Sequence, residues 1–169
     1  MKKRFDKFLT LTLSLVMALS VAPSATISAN ASWVDCYVAN VLQTVTQDAD
    51  VSDFAKLEKL EMSGAKGETE GAQFFVHTDS TLNGYDLTVS DLKCGENVIG
   101  AENVELYVQI YSEASDSVLF VGTYGGGMYP DCLIPVSYIK QAGENNVTAG
   151  QNQGFWVDVA IPETVESGI

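Results

Sequence analysis

His77 is the only histidine among the 169 residues, and it sits inside the apolar run Phe74-Phe75-Val76-His77-Thr78. A catalytic or metal-bound imidazole needs an orienting partner or a second ligand, so triads and metal clusters built on histidine drop out. Glu68 and Glu70 form the obvious carboxylate pair. A sugar hydrolase does require two acids, but they face each other across a cleft from separate elements. Glu68 and Glu70 are local neighbours separated by Thr69, and the structural reading has Glu70 and Gln73 satisfying backbone groups at a sheet corner. Asp48, Asp50 and Asp53 imitate a calcium loop but lack its glycine and its terminal bidentate glutamate, so they are read as solvated surface.

Cys36, Cys94 and Cys132 lie far apart, without the C-x-x-C spacing of a zinc site. One disulfide between two of them and three buried thiols are both open, and the pairing is not fixed. The Gly125-Gly126-Gly127 run precedes no helix, which removes a phosphate cradle and leaves a turn. Trp33, Trp156, Tyr107, Tyr111, Tyr124 and Tyr129 would offer sugar-stacking surfaces if several lay together and exposed; core packing or an interface is the plainer reading. Asn146-Val147-Thr148 matches the glycosylation sequon. No cofactor, metal or catalytic residue is expected from these residue types.

The elements that carry these residues read almost throughout with period two, the pattern of strands with one buried face. In Val104 to Tyr111 the alternation places Val104, Leu106, Val108 and Ile110 in the core and the residues between them outside. Phe155, Val157, Val159 and Ile161 repeat it until Pro162, which has no N–H to continue a ladder. Ala72 to Thr78, Tyr85 to Leu92 and Ser117 to Thr123 are shorter runs of the same kind. Turn chemistry separates them at Asn83-Gly84, Gly95-Glu96-Asn97, Gly125-Gly126-Gly127 and Gly143 to Gly150. No helical stripe of useful length is found; Phe54-Leu57-Leu60 is read as a strand from about Lys56 to Met62. The fold class is all-β, an antiparallel sandwich of immunoglobulin or jelly-roll type, with a small barrel as the alternative. The stretch from Pro162 to Ile169 looks like the start of a hairpin, so the domain is expected to lack its last strand, which would pair with Phe155 to Ile161.

The amino terminus reads as an export signal: Lys2, Lys3, Arg4 and Lys7 precede an apolar run from Phe8 to Val21, and Ala29-Asn30-Ala31 fits a cleavage site. The run falls short of the roughly 20 apolar residues a bilayer span needs, against an uncleaved anchor. Residues 1–31 are the signal and 32–169 the domain, secreted or held at the cell surface. Cleavage leaves five basic against 21 acidic residues, a net charge of −16 where the whole chain has −13. Such a surface excludes nucleic acid and anionic membranes as partners, since both are held through lysine and arginine.

Two stretches carry a family resemblance. Gly64-Ala65-Lys66-Gly67-Glu68-Thr69-Glu70-Gly71-Ala72-Gln73 is one. The other is Tyr129-Pro130-Asp131-Cys132-Leu133-Ile134-Pro135-Val136 followed by Ala149-Gly150-Gln151-Asn152-Gln153-Gly154-Phe155-Trp156-Val157-Asp158-Val159-Ala160-Ile161-Pro162. Together they resemble, in order, the N-terminal β-sandwich that precedes the catalytic barrel in glycoside hydrolase family 123 and related secreted proteins of uncharacterised type. Ser167-Gly168-Ile169 corresponds to the point where that family continues into its last strand, and Cys132 departs from it in a variable slot. The resemblance covers most of Trp33 to Ile169. It implies a sandwich leaning on a (β/α) barrel that acts on hexosaminides, with the barrel's acids far downstream. No catalytic residue carries over; Glu70, Gln73, Asp131, Pro135, Asn152, Trp156 and Asp158 match motif positions of structural or interdomain role. The chain therefore reads as a non-catalytic accessory module whose partner is the catalytic barrel of a parent protein. The alternative is a stand-alone glycan-binding or adhesive module, and a small hydrolase using Glu68 and Glu70 is a distant third.

Overall fold

Alternating side chains lay the chain into one large antiparallel sheet. The computed structural model describes residues 34–58, 60–94, 96–115 and 125–165. The expected signal, the expected strand at 117–123, Trp33, Tyr124 and residues 166–169 lie outside them. The main sheet has six strands: β1 (Val34–Ala39), β2 (Ala55–Lys56), β3 (Thr69–Thr78), β7 (Val104–Ala114), β8 (Gly127–Pro135) and β10 (Asn152–Ala160). Their order across the sheet is β2-β1-β3-β10-β7-β8. Two short ribbons complete the strands of the described residues: β4 (Leu82–Asn83) with β9 (Asn146–Val147), and β5 (Leu92–Cys94) with β6 (Asn97–Ile99).

One face of the sheet builds the core. Ala72, Phe74 and Val76 from β3, Phe155, Val157 and Val159 from β10, and Val108 from β7 are all buried there. Val104, Leu106 and Ile110 pack against them, as the alternation of β7 predicts. The covering layer is built from Leu82 and Val147 of one ribbon, Leu92 and Ile99 of the other, and the plugs Leu60, Tyr85 and Leu87. Phe74 stacks on Phe155 at 5.2 Å between ring centroids, and Tyr85 meets Phe155 edge-on at 5.4 Å. The fold is thus all-β with antiparallel sheets.

Four details differ from the sequence expectation. The strand expected over 56–62 stops at Lys56; Leu57 donates to the Cys36 carbonyl and the chain then turns so that Leu60 plugs the core. The run 85–92 is strand only from Leu92. Its start is tied instead to Asn145, whose side chain donates to the Tyr85 carbonyl at 2.6 Å while Tyr85 N–H donates to the Asn145 carbonyl. The one α-helix among the described residues, α1 (Val136–Ala142), differs from the expectation of no helical stripe. Val136 and Ile139 give it one buried side, and Gly143 at φ 75° ends it in the left-handed region that glycine adopts without strain. Finally, β10 is flanked by β3 and β7 along its length, so Phe155 to Ile161 presents no free edge for a further strand.

Cys36 and Cys132 are free thiols with unlike surroundings. Burial, aided by Asp35, pushes the Cys36 thiol up to about 11, whereas Cys132 is exposed on β8. A thiolate is the alkylating species, so iodoacetamide at pH 8 is expected to modify Cys132 rapidly and Cys36 only after unfolding; mass spectrometry of the time course checks this. Burial also raises the phenols of Tyr85 and of Tyr111, the latter to about 12. These acids lose their protons at lower pH in the unfolded chain, at their ordinary values of 9.0 for the thiol and 10.0 for the phenols. Their contribution is present below pH 9 and is lost as pH rises through about 9 to 12.

Candidate functional site

The second face of the main sheet holds the polar motif residues Gln73, Asn152 and Asp158, and a length of chain lies across it. Tyr37, Ala39 and Phe75 form a small apolar patch on this face, closed by Val45 and by Phe54, whose ring meets Phe75 edge-on at 4.8 Å. Between them residues 40–50 run over the sheet as a strap, and side-chain amides fasten it. Gln73 on β3 donates through Nε2 to the carbonyls of Asn40 and Gln43, the latter at 2.7 Å. Its Oε1 accepts from Gln109 Nε2 of β7 at 3.0 Å. Asn152 of β10, 1% exposed, donates to the carbonyls of Thr46 at 3.2 Å and Ala49 at 2.9 Å. With both amide hydrogens on carbonyls, Asn152 Oδ1 turns to His77, 2.9 Å away, and His77 must donate from Nδ1. The far end of the strap reaches β8, where Gln47 N–H donates to the Met128 carbonyl at 3.0 Å. His77 is thereby a positioned hydrogen-bond donor of the fold.

Each of the other motif residues has a definite task. Asp131 is the extra residue of a bulge in β8, between the pairs Ile110 with Cys132 and Tyr111 with Pro130, and it accepts from Ser112 at 3.0 Å. Pro135 closes β8 opposite Tyr107 and stands at the start of α1, where no N–H is required. Trp156 lies over Gly71 of β3: a Cβ there would sit 2.7 Å from the indole, so any side chain at 71 would displace the ring. The indole Nε1 donates to Asp158 at 2.7 Å, which fixes its orientation. Glu70 lies opposite Val159 and packs its stem against Gly64. Glu68 closes a turn by accepting from Ala65 N–H at 3.0 Å.

Hollows open among the described residues on either side of the strap turn. A groove of about 230 Å³ lies between the strap turn and β8, floored by Gln73, Gln109 and Trp156. A wider cleft of about 800 Å³ opens beside β1 and β3, lined by Leu60 and Met62 with the acids Glu58, Glu61 and Glu70. Glu68 is not among the residues lining this cleft, so the pair singled out in the sequence does not share it. Among Asp48, Asp50 and Asp53, Asp50 caps a single 3-10 turn by accepting from Ser52 N–H at 2.9 Å, and that bond lowers its carboxyl below the usual range. Among the described residues no group of histidine, cysteine, aspartate and glutamate is arranged to hold a metal ion.

Of the aromatics, Trp156 and Tyr107 are neighbours across β10 and β7 on the strap face; a hydrogen bond to Glu105 raises the Tyr107 phenol to about 12. The Tyr111 hydroxyl accepts from Gly154 N–H, and the Tyr129 hydroxyl donates to the Gly125 carbonyl. Asn146 of the sequon is exposed on β9, and its Oδ1 accepts from Gly84 N–H. Sequence reasoning missed Gln109, which the alternation of β7 assigns to solvent but which is 6% exposed beneath the strap. The available signal was two glutamines, at 73 and 109, each in the middle of a strong strand.

The family model for the glycoside hydrolase 123 N-terminal domain matches residues 29–169. No curated protein matches the chain. Among solved structures, a family 123 glycoside hydrolase from Clostridium perfringens, studied for hydrolysis of glycolipid glycans, is similar at 16% identity and a TM-score of 0.48. The alignment covers 61% of this chain and 17% of that one.

Proposed function

We propose that this chain, which belongs to the glycoside hydrolase 123 N-terminal domain family, is the non-catalytic accessory module of a secreted glycoside hydrolase-like protein. Its partner is a (β/α) barrel that carries the catalytic acids for a hexosaminide substrate. The family match across the whole domain carries this reading. Site chemistry supports it: the polar side chains of the strap face are engaged with backbone carbonyls or with each other, which is how a scaffold uses them. The experiment is to express the polypeptide that follows this domain in its gene, alone and joined to the domain. Hexosaminidase activity in both forms, with a higher Tm for the joined protein, supports the module reading; a following polypeptide with no barrel overturns it.

The groove beside Trp156 favours a second reading, a glycan-binding module, because about 230 Å³ is the scale of one sugar ring and an indole stands at its floor. Glycan-array binding that Trp156→Ala abolishes without lowering Tm would favour that reading over the scaffold.

A further inference from the structure

We propose that the groove between the strap turn and β8 is the surface on which the catalytic barrel docks, through an apolar protrusion flanked by lysine or arginine; this rests on the accessory-module reading above. Five large apolar side chains are exposed among the described residues, and three of them, Val41, Leu42 and Leu133, line this one groove. Leu42 is 92% exposed. An aliphatic side chain held so far into water gives nothing to the fold of the isolated domain, and clustering of such residues marks a binding surface.

The turn that presents Leu42 is fastened in advance. Asn40 Oδ1 accepts from Leu42 N–H at 2.9 Å, Gln43 N–H donates to the Asn40 carbonyl at 2.8 Å, and Gln73 holds the carbonyls at both ends of the turn. A preformed knob loses little conformational freedom on association. Opposite it, Leu133 stands on β8, whose outer side has no neighbouring strand among the described residues. Trp156, fixed by Gly71 and Asp158, supplies a rigid aromatic floor of the kind that dominates interface energetics.

Charge selects the occupant. The strap and strands β3, β7, β8 and β10 contain no lysine or arginine. Asp131 lines the groove, and Asp158 and Glu105 pair across β10 and β7 on the same face as Trp156. Two copies of this chain meeting here would bring acid against acid, whereas a basic rim on the partner would be complementary. The amide floor also leaves little for a sugar: Gln73 uses both amide hydrogens on the strap and its oxygen on Gln109.

The test mixes the purified chain with the polypeptide that follows it in the gene and follows amide hydrogen exchange. Slowed exchange at 41–44 and 131–133 is expected, with affinity falling as salt rises. Leu42→Asp should weaken binding on the order of 30-fold, while Val98→Asp, an equally polar change on the opposite layer, leaves it within about twofold. Binding with protection confined to the ribbons would overturn this surface and leave the accessory reading standing. Absence of a barrel in the gene, or absence of binding by two folded partners, would overturn both. Protection of 41–44 by N-acetylhexosamine in place of the barrel would overturn the protein occupant in favour of a glycan.

Discussion

Asn152→Ala is expected to destabilise the domain by about 3 kcal/mol, because it removes the amide that donates to the part-buried carbonyls of Thr46 and Ala49, leaving Thr46 only its bond from Ala49 N–H, and removes the acceptor for His77 Nδ1. Chemical denaturation should show a lower midpoint with an unchanged slope, since the buried surface is otherwise the same. Hydrogen exchange should accelerate first at Gln47 and Ala49, whose amides bond within or beneath the strap. Asn152→Asp is not expected to rescue the loss at neutral pH, because a carboxylate cannot donate to either carbonyl. A loss below about 1 kcal/mol would mean that the strap is held mainly by its apolar contacts at Val45, against the amide account.

Phe155→Ala is expected to cost about 3–5 kcal/mol. The ring is 3% exposed, stacks on Phe74, meets Tyr85 edge-on and belongs to a strand with ladders on both sides, so its surroundings have little freedom to collapse into the space left. Thermal unfolding of this variant beside Tyr107→Ala, which removes a ring on the strap face, separates the two sides of the sheet. The core variant should lose far more, and equal losses would contradict the assignment of the main core to the Phe74 face.

Most of the main sheet is legible in the sequence because its strands obey one rule. On β10 every second residue from Phe155 to Val159 is apolar and buried, and the same parity runs through β3 and β7. The rule fails where a second contact overrides it. Gln109 has the parity of an outward residue, but the strap roofs that face, and the bonds that hold the roof join residues 30 to 106 positions apart. Periodicity carries no information at that range. Residues 85–91 have strand composition yet follow the Asn145 tie, and the seven-residue α1 is too short to show more than the Val136 and Ile139 spacing. The central position of β10 was equally hidden, because alternation identifies a strand but not its neighbours.

The motif residues taken from the family resemblance prove informative in a different way. Gln73 and Asn152 fasten the strap, Asp131 makes the bulge, Pro135 turns strand into helix, and Asp158 orients Trp156. In the Glu58, Glu61 and Glu70 cleft, acids from more than one segment border a sizeable hollow. It is therefore where a catalytic alternative must stand or fall.

Release of aryl alcohol from an aryl N-acetylhexosaminide by the purified, folded chain is the direct measurement, made beside Glu70→Gln. An accessory module predicts no rate above buffer for either protein. Turnover by the chain that Glu70→Gln abolishes without lowering Tm would contradict it.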